Sequence, residues 1–237
     1  MITVTFDSNV WENIVDPSKR AGQPIYENLY KAILEQRIKP FFSAVIINIE
    51  AIPSKDRKSH YSEYTLNAEN EYDYELHDYL QDNIPKAVGL GFRFLSLPRI
   101  GARSHSLVEN NKADDEFYSL KERLDRSFEC GRFIENLGAG KDKVHTRLDG
   151  ESQYGLVIQS SRDTSLSDKQ YSKDIGEWAD GDAIASHYGY GIDYFCTNDM
   201  ASSAGTKSVF HADNVKKLED KFRIRIVRPE TLINYIA

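Results

Sequence analysis

A short β-branched run, Ile2-Thr3-Val4-Thr5-Phe6, gives way at once to the polar triplet Asp7-Ser8-Asn9, which suits the start of a helix or turn. The same switch recurs near the other end, where Tyr194-Phe195-Cys196 runs into Thr197-Asn198-Asp199. Helical patterns separate these strands. From Pro24 to Arg37, Ile25, Leu29, Ala32, Ile33 and Leu34 recur at helical spacing, with Pro24 in the first turn. Ile38–Ala44, IKPFFSA, reads as a strand, and Ser43 is placed to cap a buried helix over Ala44–Ile52 that stops before Pro53. Toward the end come a helix around Lys173–Tyr188, the strand at Tyr194, a helix over Asp213–Phe222, a strand at Arg223–Val227 and a last helix opened by Pro229. Strand–helix alternation of this kind predicts an α/β protein with a central parallel sheet between two layers of helices.

The middle third has another texture. It holds an acid- and tyrosine-rich stretch (Tyr61–Tyr79), a basic stretch punctuated by Gly and Pro (Lys86–His105), and an amphipathic helix expected over Lys112–Leu137 with Phe117, Leu120, Leu124 and Phe128 on one face. Neither end alone supplies enough strands for a sheet. The expectation is therefore a single domain, 1–237, with its core at 1–52 and 171–237 and a largely helical inserted region at 53–170.

With 237 residues and 40% hydrophobic side chains the chain can bury a proper core. No apolar run approaches the roughly 20 residues that cross a bilayer, and the start lacks the basic-then-apolar layout of a signal peptide. Cys130 and Cys196 form neither a disulfide framework nor a metal-ligand cluster. These features predict a cytoplasmic, reduced protein without a membrane segment. The net charge of −7 argues against coating nucleic acid by bulk electrostatics. A local grip through acid-bound cations remains compatible with it, because the ion reverses the local sign.

Asp7 and Asp199 sit at the ends of strands expected to be parallel, so both face one sheet edge, the edge at which open α/β sheets bind ligands. Glu50 is the lone acid on an apolar helix and needs a cation or a strong hydrogen-bond partner there. Asp180 shares a helix face with Ile184 and His187, while Asp182 points nearly opposite. Converging carboxylates suit Mg²⁺ or Mn²⁺ and the chemistry of phosphodiester hydrolysis. Each acid also has a plain reading: Asp7 and Asp199 as caps or turn residues, Asp180 or Asp182 as the N-cap of a helix, Glu50 as the partner of a structural Arg. The six histidines show no ligand spacing, no Ser or Cys nucleophile motif stands out, and no Gly-rich phosphate loop follows the first strand.

The order strand–FDSN, helix–SAVIINIEAI, helix–ADGDAIAS, strand–DYFCTND resembles the PIN-domain nucleases, among them the ribonuclease toxins of bacterial toxin–antitoxin pairs. The resemblance covers about residues 1–52 and 171–237; the stretch 53–170 departs from it. It implies a PIN-like three-layer fold and a metal-dependent endoribonuclease using Mg²⁺ or Mn²⁺. Its acids fall on Asp7, Glu50, Asp180 and Asp199 as catalytic and metal-binding residues. Asn9, Thr197 and Asp182 fall beside them, with Asp182 the competitor of Asp180 for the third acid. The partners it implies are single-stranded RNA, an antitoxin protein and a second copy of the chain. The competing readings are a catalytically inactive PIN-like module for nucleic-acid or protein interaction, and an aspartyl phosphatase. The phosphatase usually has an Asp where this chain has Asn9.

Two basic patches are candidates for feeding RNA to such a pocket. One is Lys86, Arg93, Arg99 and Arg103, interleaved with Phe92 and Phe94 for base stacking. The other is Lys55, Arg57 and Lys58, just after the Glu50 helix. The plain alternative for the first is a loop that packs its Phe residues inward.

Overall fold

The architecture comes from a computed structural model that describes residues 1–47, 51–59, 76–97, 105–113, 117–140, 165, 167–201 and 205–236. In chain order its elements are β1 (Ile2–Phe6), α1 (Ser8–Val15), α2 (Pro17–Arg20), α3 (Pro24–Leu34), β2 (Ile38–Ser43), α4 (Asp78–Leu90), β3 (Arg93–Leu95), α5 (Ser106–Asn110), α6 (Leu120–Asn136), α7 (Asp168–Tyr190), β4 (Tyr194–Cys196), α8 (Ala212–Phe222), β5 (Arg225–Val227) and α9 (Pro229–Ile236). The five strands form one all-parallel sheet in the order β3-β2-β1-β4-β5. Pro40 interrupts no ladder on the β3 side, because β3 pairs only with Phe41–Ser43.

Alternation along the strands sorts their side chains between two helical layers. Val4 and Phe6 of β1, Phe42 of β2, Phe94 of β3 and Cys196 of β4 join one apolar cluster with buried residues of α1, α3, α4 and α9. Phe195 joins a second cluster with α6, α7 and α8, and Phe41 and Leu95 join a third with Tyr190. The sheet thus lies between two layers of helices, as the alternation predicts. One of its two edge strands, β3, comes from within the stretch expected to be an insertion. Phe92 and Phe94 are buried in the aromatic core around Phe42, with ring centroids 5.3 and 4.2 Å from the Phe42 ring. Base stacking by these two residues is therefore ruled out, and the inward-packing alternative holds.

Two helices differ from expectation. The helix expected over Lys112–Leu137 is shorter, Leu120–Asn136, with a capping box in which Ser119 and Glu122 satisfy each other's backbone N–H groups. The face that it buries is also unexpected: Ser127, Cys130 and Gly131 are inside, whereas Leu120 is 56% exposed and Leu124 and Phe128 are also exposed. The reason is close approach to α7. A Cβ added to Gly189 would stand 2.9 Å from the Arg123 carbonyl, and one on Gly181 would stand 3.1 Å from the Gly140 Cα. With Ala185 between them, these glycines make a ridge of small residues that accepts the small face of α6 and has no room for its leucines.

The second difference is at α7. It begins at Asp168, with Ser167 as N-cap, and continues to Gly191 in the left-handed conformation. Asp180 and Asp182 lie mid-helix, so the reading of either as an N-cap is wrong.

Candidate functional site

The strand order places a crevice before any side chain is considered. The chain lays down β1, β2 and β3 outward in one direction and then returns to put β4 on the other side of β1. Connections therefore leave the carboxyl ends of β1 and β4 in opposite directions, and ligands of open α/β sheets bind at such a switch point. Asp7 and Thr197 follow those two strand ends directly.

Asp7 is held from several sides. Its N–H donates to the Cys196 carbonyl at 3.0 Å, continuing the β1–β4 pairing by one residue. Its Oδ1 accepts the Ser8 N–H at 2.8 Å, as N-cap of α1. Its Oδ2 accepts the Asn9 amide at 2.8 Å and the Thr197 hydroxyl at 2.6 Å. The Thr197 Oγ1 in turn accepts the Asp199 N–H at 2.9 Å. Asn9 bridges the strand ends a second time, its Oδ1 taking the Asn198 N–H at 2.9 Å. The Asn198 side chain then donates to the Asn9 carbonyl and to the Tyr26 hydroxyl of α3, each at 3.0 Å.

Burial raises the affinity of Asp7 for its proton, the Thr197 and Ser8 hydrogen bonds oppose that, and the nearby Asp199 charge raises it again. Asp7 and Asp199 are therefore close enough to repel. Asp199 is half-buried and spends its Oδ1 on the Ala201 N–H at 2.7 Å, where it supports Ala201 at a φ of 57°.

The two candidates for the third acid part company. Two residues along a helix are about 200° apart in direction. Asp180 lines a pocket together with Asp7, Thr5, Ser8, Ser43 and Ala183, a space of about 10 Å³, enough for one water or ion. Asp182 is only 3% exposed and is not part of that lining. Glu50 lies outside the described residues. Among the described residues no group of three or more His, Cys, Asp or Glu side chains is arranged to hold a metal ion. Asp7 and Asp180 are nonetheless the hard oxygen donors that Mg²⁺ or Mn²⁺ prefers, facing an ion-sized space. Asp7 Oδ1, with one accepted hydrogen bond, retains a lone pair for it.

Sequence reasoning missed a polar layer beneath this pocket. Thr5 Oγ1 lies 2.9 Å from Nδ1 of His187, a fully buried histidine whose pKa burial lowers to about 3. It stays neutral at physiological pH. The alternation of Thr3 and Thr5 with Val4 was the signal, since it points two hydroxyls at the α7 layer. Ser43, read only as a cap, adds a third hydroxyl to the pocket wall.

Three other histidines are structural in the plainest sense: His77, His105 and His211 each N-cap a helix through Nδ1. His60 and His145 lie outside the described residues. Of the basic patches, Arg93 starts β3 at the amino edge of the sheet and spends Nη1 on the Phe92 and Val88 carbonyls. Arg99 and Arg103 lie outside the described residues. Arg57 is tied to the Ile52 carbonyl, and Lys58 stands 3.9 Å from Asp168 at the start of α7. Arg57 also reaches the Ser172 carbonyl at 3.5 Å, so Arg57 and Lys58 both lie against the first turns of α7.

No family model, no curated protein and no solved structure matches this chain.

Proposed function

We propose that this protein is a PIN-type, divalent-metal-dependent ribonuclease acting on single-stranded RNA, with its site at the carboxyl ends of β1 and β4. The observation that supports this reading most is the meeting of Asp7 and Asp180 on one ion-sized pocket at the topological switch point. Asp7 and Asp180 would hold Mg²⁺ or Mn²⁺ directly, with Asp199 contributing through water; when bound, the ion would supply charge neutralisation for the phosphodiester and acidify a water.

The chain's own residues do the positioning. Thr197 and Asn9 fix the Asp7 carboxylate in one rotamer by two hydrogen bonds to Oδ2, so its free lone pair keeps a constant direction. Asp180 lines the same space, and its oxygen not on the ion would accept the proton of an attacking water. Attack at phosphorus with loss of the 3′-oxygen leaves a 5′-phosphate and a 3′-hydroxyl. Ser43 and Ser8 would offer hydroxyls to the phosphate oxygens, and Lys55, Arg57 and Lys58 would supply cations for the RNA backbone.

A second reading has its own support: the described acids do not close into a set of three, which favours an inactive PIN-like interaction module. In that role an antitoxin-like protein or a second copy of the chain would be the partner. The deciding experiment is cleavage of single-stranded RNA, with DNA alongside, by wild type and Asp7→Asn in Mn²⁺ and in EDTA. Cutting by the wild type alone, in Mn²⁺ alone, is expected. Wild-type inactivity toward every RNA offered, together with no Mn²⁺ binding, would move the assignment to the interaction module.

A further inference from the structure

A larger pocket opens at the opposite edge of the sheet. Helices α3 and α4 end at Leu34 and Leu90, just before β2 and β3 begin, so their last turns lie at the amino edge, remote in the topology from Asp7. Together with the end of α1 and α2 they enclose about 330 Å³, within the span of about 300–1,000 Å³ common for small-molecule sites. Val15, Leu34, Leu90 and Tyr30 give it apolar walls, and Arg20 and Lys86 face into it.

Both cations have donors to spare. The Arg20 guanidinium lies 3.8 Å over the Tyr30 ring. Its Nη1 donates to the Ile14 carbonyl at 2.6 Å and its Nε to Glu27 at 3.2 Å. These contacts hold the side chain in one place, only 13% exposed, while Nη2 takes part in none of them. Lys86 donates to the Asn83 side chain at 3.2 Å, one of the three N–H bonds of its ammonium. Glu27 meets Arg20 from the Nε edge and Asp16 is turned to Ser18; neither lines the pocket, whose lining carries two positive side chains and no negative one. A fixed guanidinium with an open edge, an ammonium and an aromatic wall select an anion carrying an apolar body.

We infer that this pocket binds a small organic phosphate monoester, its phosphate between Arg20 Nη2 and Lys86 Nζ and its apolar body against Tyr30, Leu34 and Leu90. The site is independent of the acidic edge and of the reading given to it. It would give the protein a small-molecule ligand as well as any polymeric substrate.

Phenyl phosphate is the probe, titrated into the full chain by calorimetry, with phenol and inorganic phosphate as its two halves. One saturable site per chain is expected, at least about tenfold tighter for phenyl phosphate than for either half. Leu34→Asp places a carboxylate on a side chain that is already 58% exposed, and Lys86→Gln removes one cation. Each should weaken binding by about tenfold or more and leave the melting temperature unchanged, while Asp7→Asn should leave binding intact. Absence of saturable binding, binding that survives both pocket variants, or inorganic phosphate binding as tightly as phenyl phosphate would each overturn the proposal.

Discussion

The two faces of β1 do different work. On one, Val4 and Phe6 are fully buried among the hydrocarbon of α1, α3 and α4, and the rings of Trp11, Phe92 and Phe94 pack around Phe42 in that layer. On the other, Thr3 exchanges hydrogen bonds with Asp193 at 2.8–2.9 Å, and Thr5 meets the fully buried His187 of α7. The first face supplies stability through burial alone. The second holds polar groups in a low-dielectric layer, which is costly unless each is hydrogen-bonded, and the carboxylate pocket rests on that layer. The fold therefore places its specificity on one side of a strand and its cohesion on the other.

That contrast can be pressed hardest on the apolar face. Phe42→Ala removes a fully buried ring from the centre of the aromatic layer and should cost about 3–5 kcal/mol, measured by denaturant unfolding. The folded fraction should keep its Mn²⁺ affinity. Loss of affinity without loss of stability would break the division between faces.

Next in size is the acid sensitivity of the polar face. The pKa of His187 is lowered to about 3 by burial, with Asp193 opposing the shift. A histidine depressed in the folded state contributes stability that is present above its unfolded pKa, near 6.5, and lost as pH falls toward 3. At about 1.4 kcal/mol per pH unit the loss over that window is on the order of 3–5 kcal/mol. His187→Leu should flatten the fall in melting temperature between pH 6.5 and 4; an unchanged slope would contradict the assignment.

Thr5→Val is nearly isosteric and leaves the His187 ring nitrogen without its hydroxyl, a cost of about 1–3 kcal/mol in urea unfolding. The smallest effect expected is that of Asp7→Asn on stability. Because the Asp7 pKa is raised in the fold, its ionisation costs stability once pH rises through the folded value. The variant should thus match the wild type near pH 3 and exceed it slightly at neutral pH by thermal melting. A large loss at neutral pH would mean that Asp7 is chiefly a structural cap.

How far the sequence could be read follows from the kind of signal each element carried. β1, β2, β4 and β5 were legible because their runs are β-branched or aromatic and bounded by polar residues, and Asp7 and Asp199 followed from where those runs stop. β3 was hidden. Arg93-Phe94-Leu95 is three residues long and sits among basic and Gly/Pro residues that resemble a loop. The orientation of α6 was read backwards because periodicity locates an apolar face but says nothing of what faces it. The glycines of α7 decided that, through a distance of approach that no single-helix pattern contains. Spacing favoured Asp180 over Asp182 and helix rotation set the two on opposite faces, but which face meets the sheet depends on how α7 packs, and it is Asp180 that lines the pocket.

The most direct test of the central claim, that one edge of the sheet gathers the acids into a working site, is a Mn²⁺ titration followed by electron paramagnetic resonance. The account predicts that the wild type binds Mn²⁺, that Asp7→Asn and Asp180→Asn each weaken it by about tenfold or more, and that Lys86→Gln at the opposite edge leaves it unchanged. Equal Mn²⁺ affinity in wild type, Asp7→Asn and Asp180→Asn would contradict it.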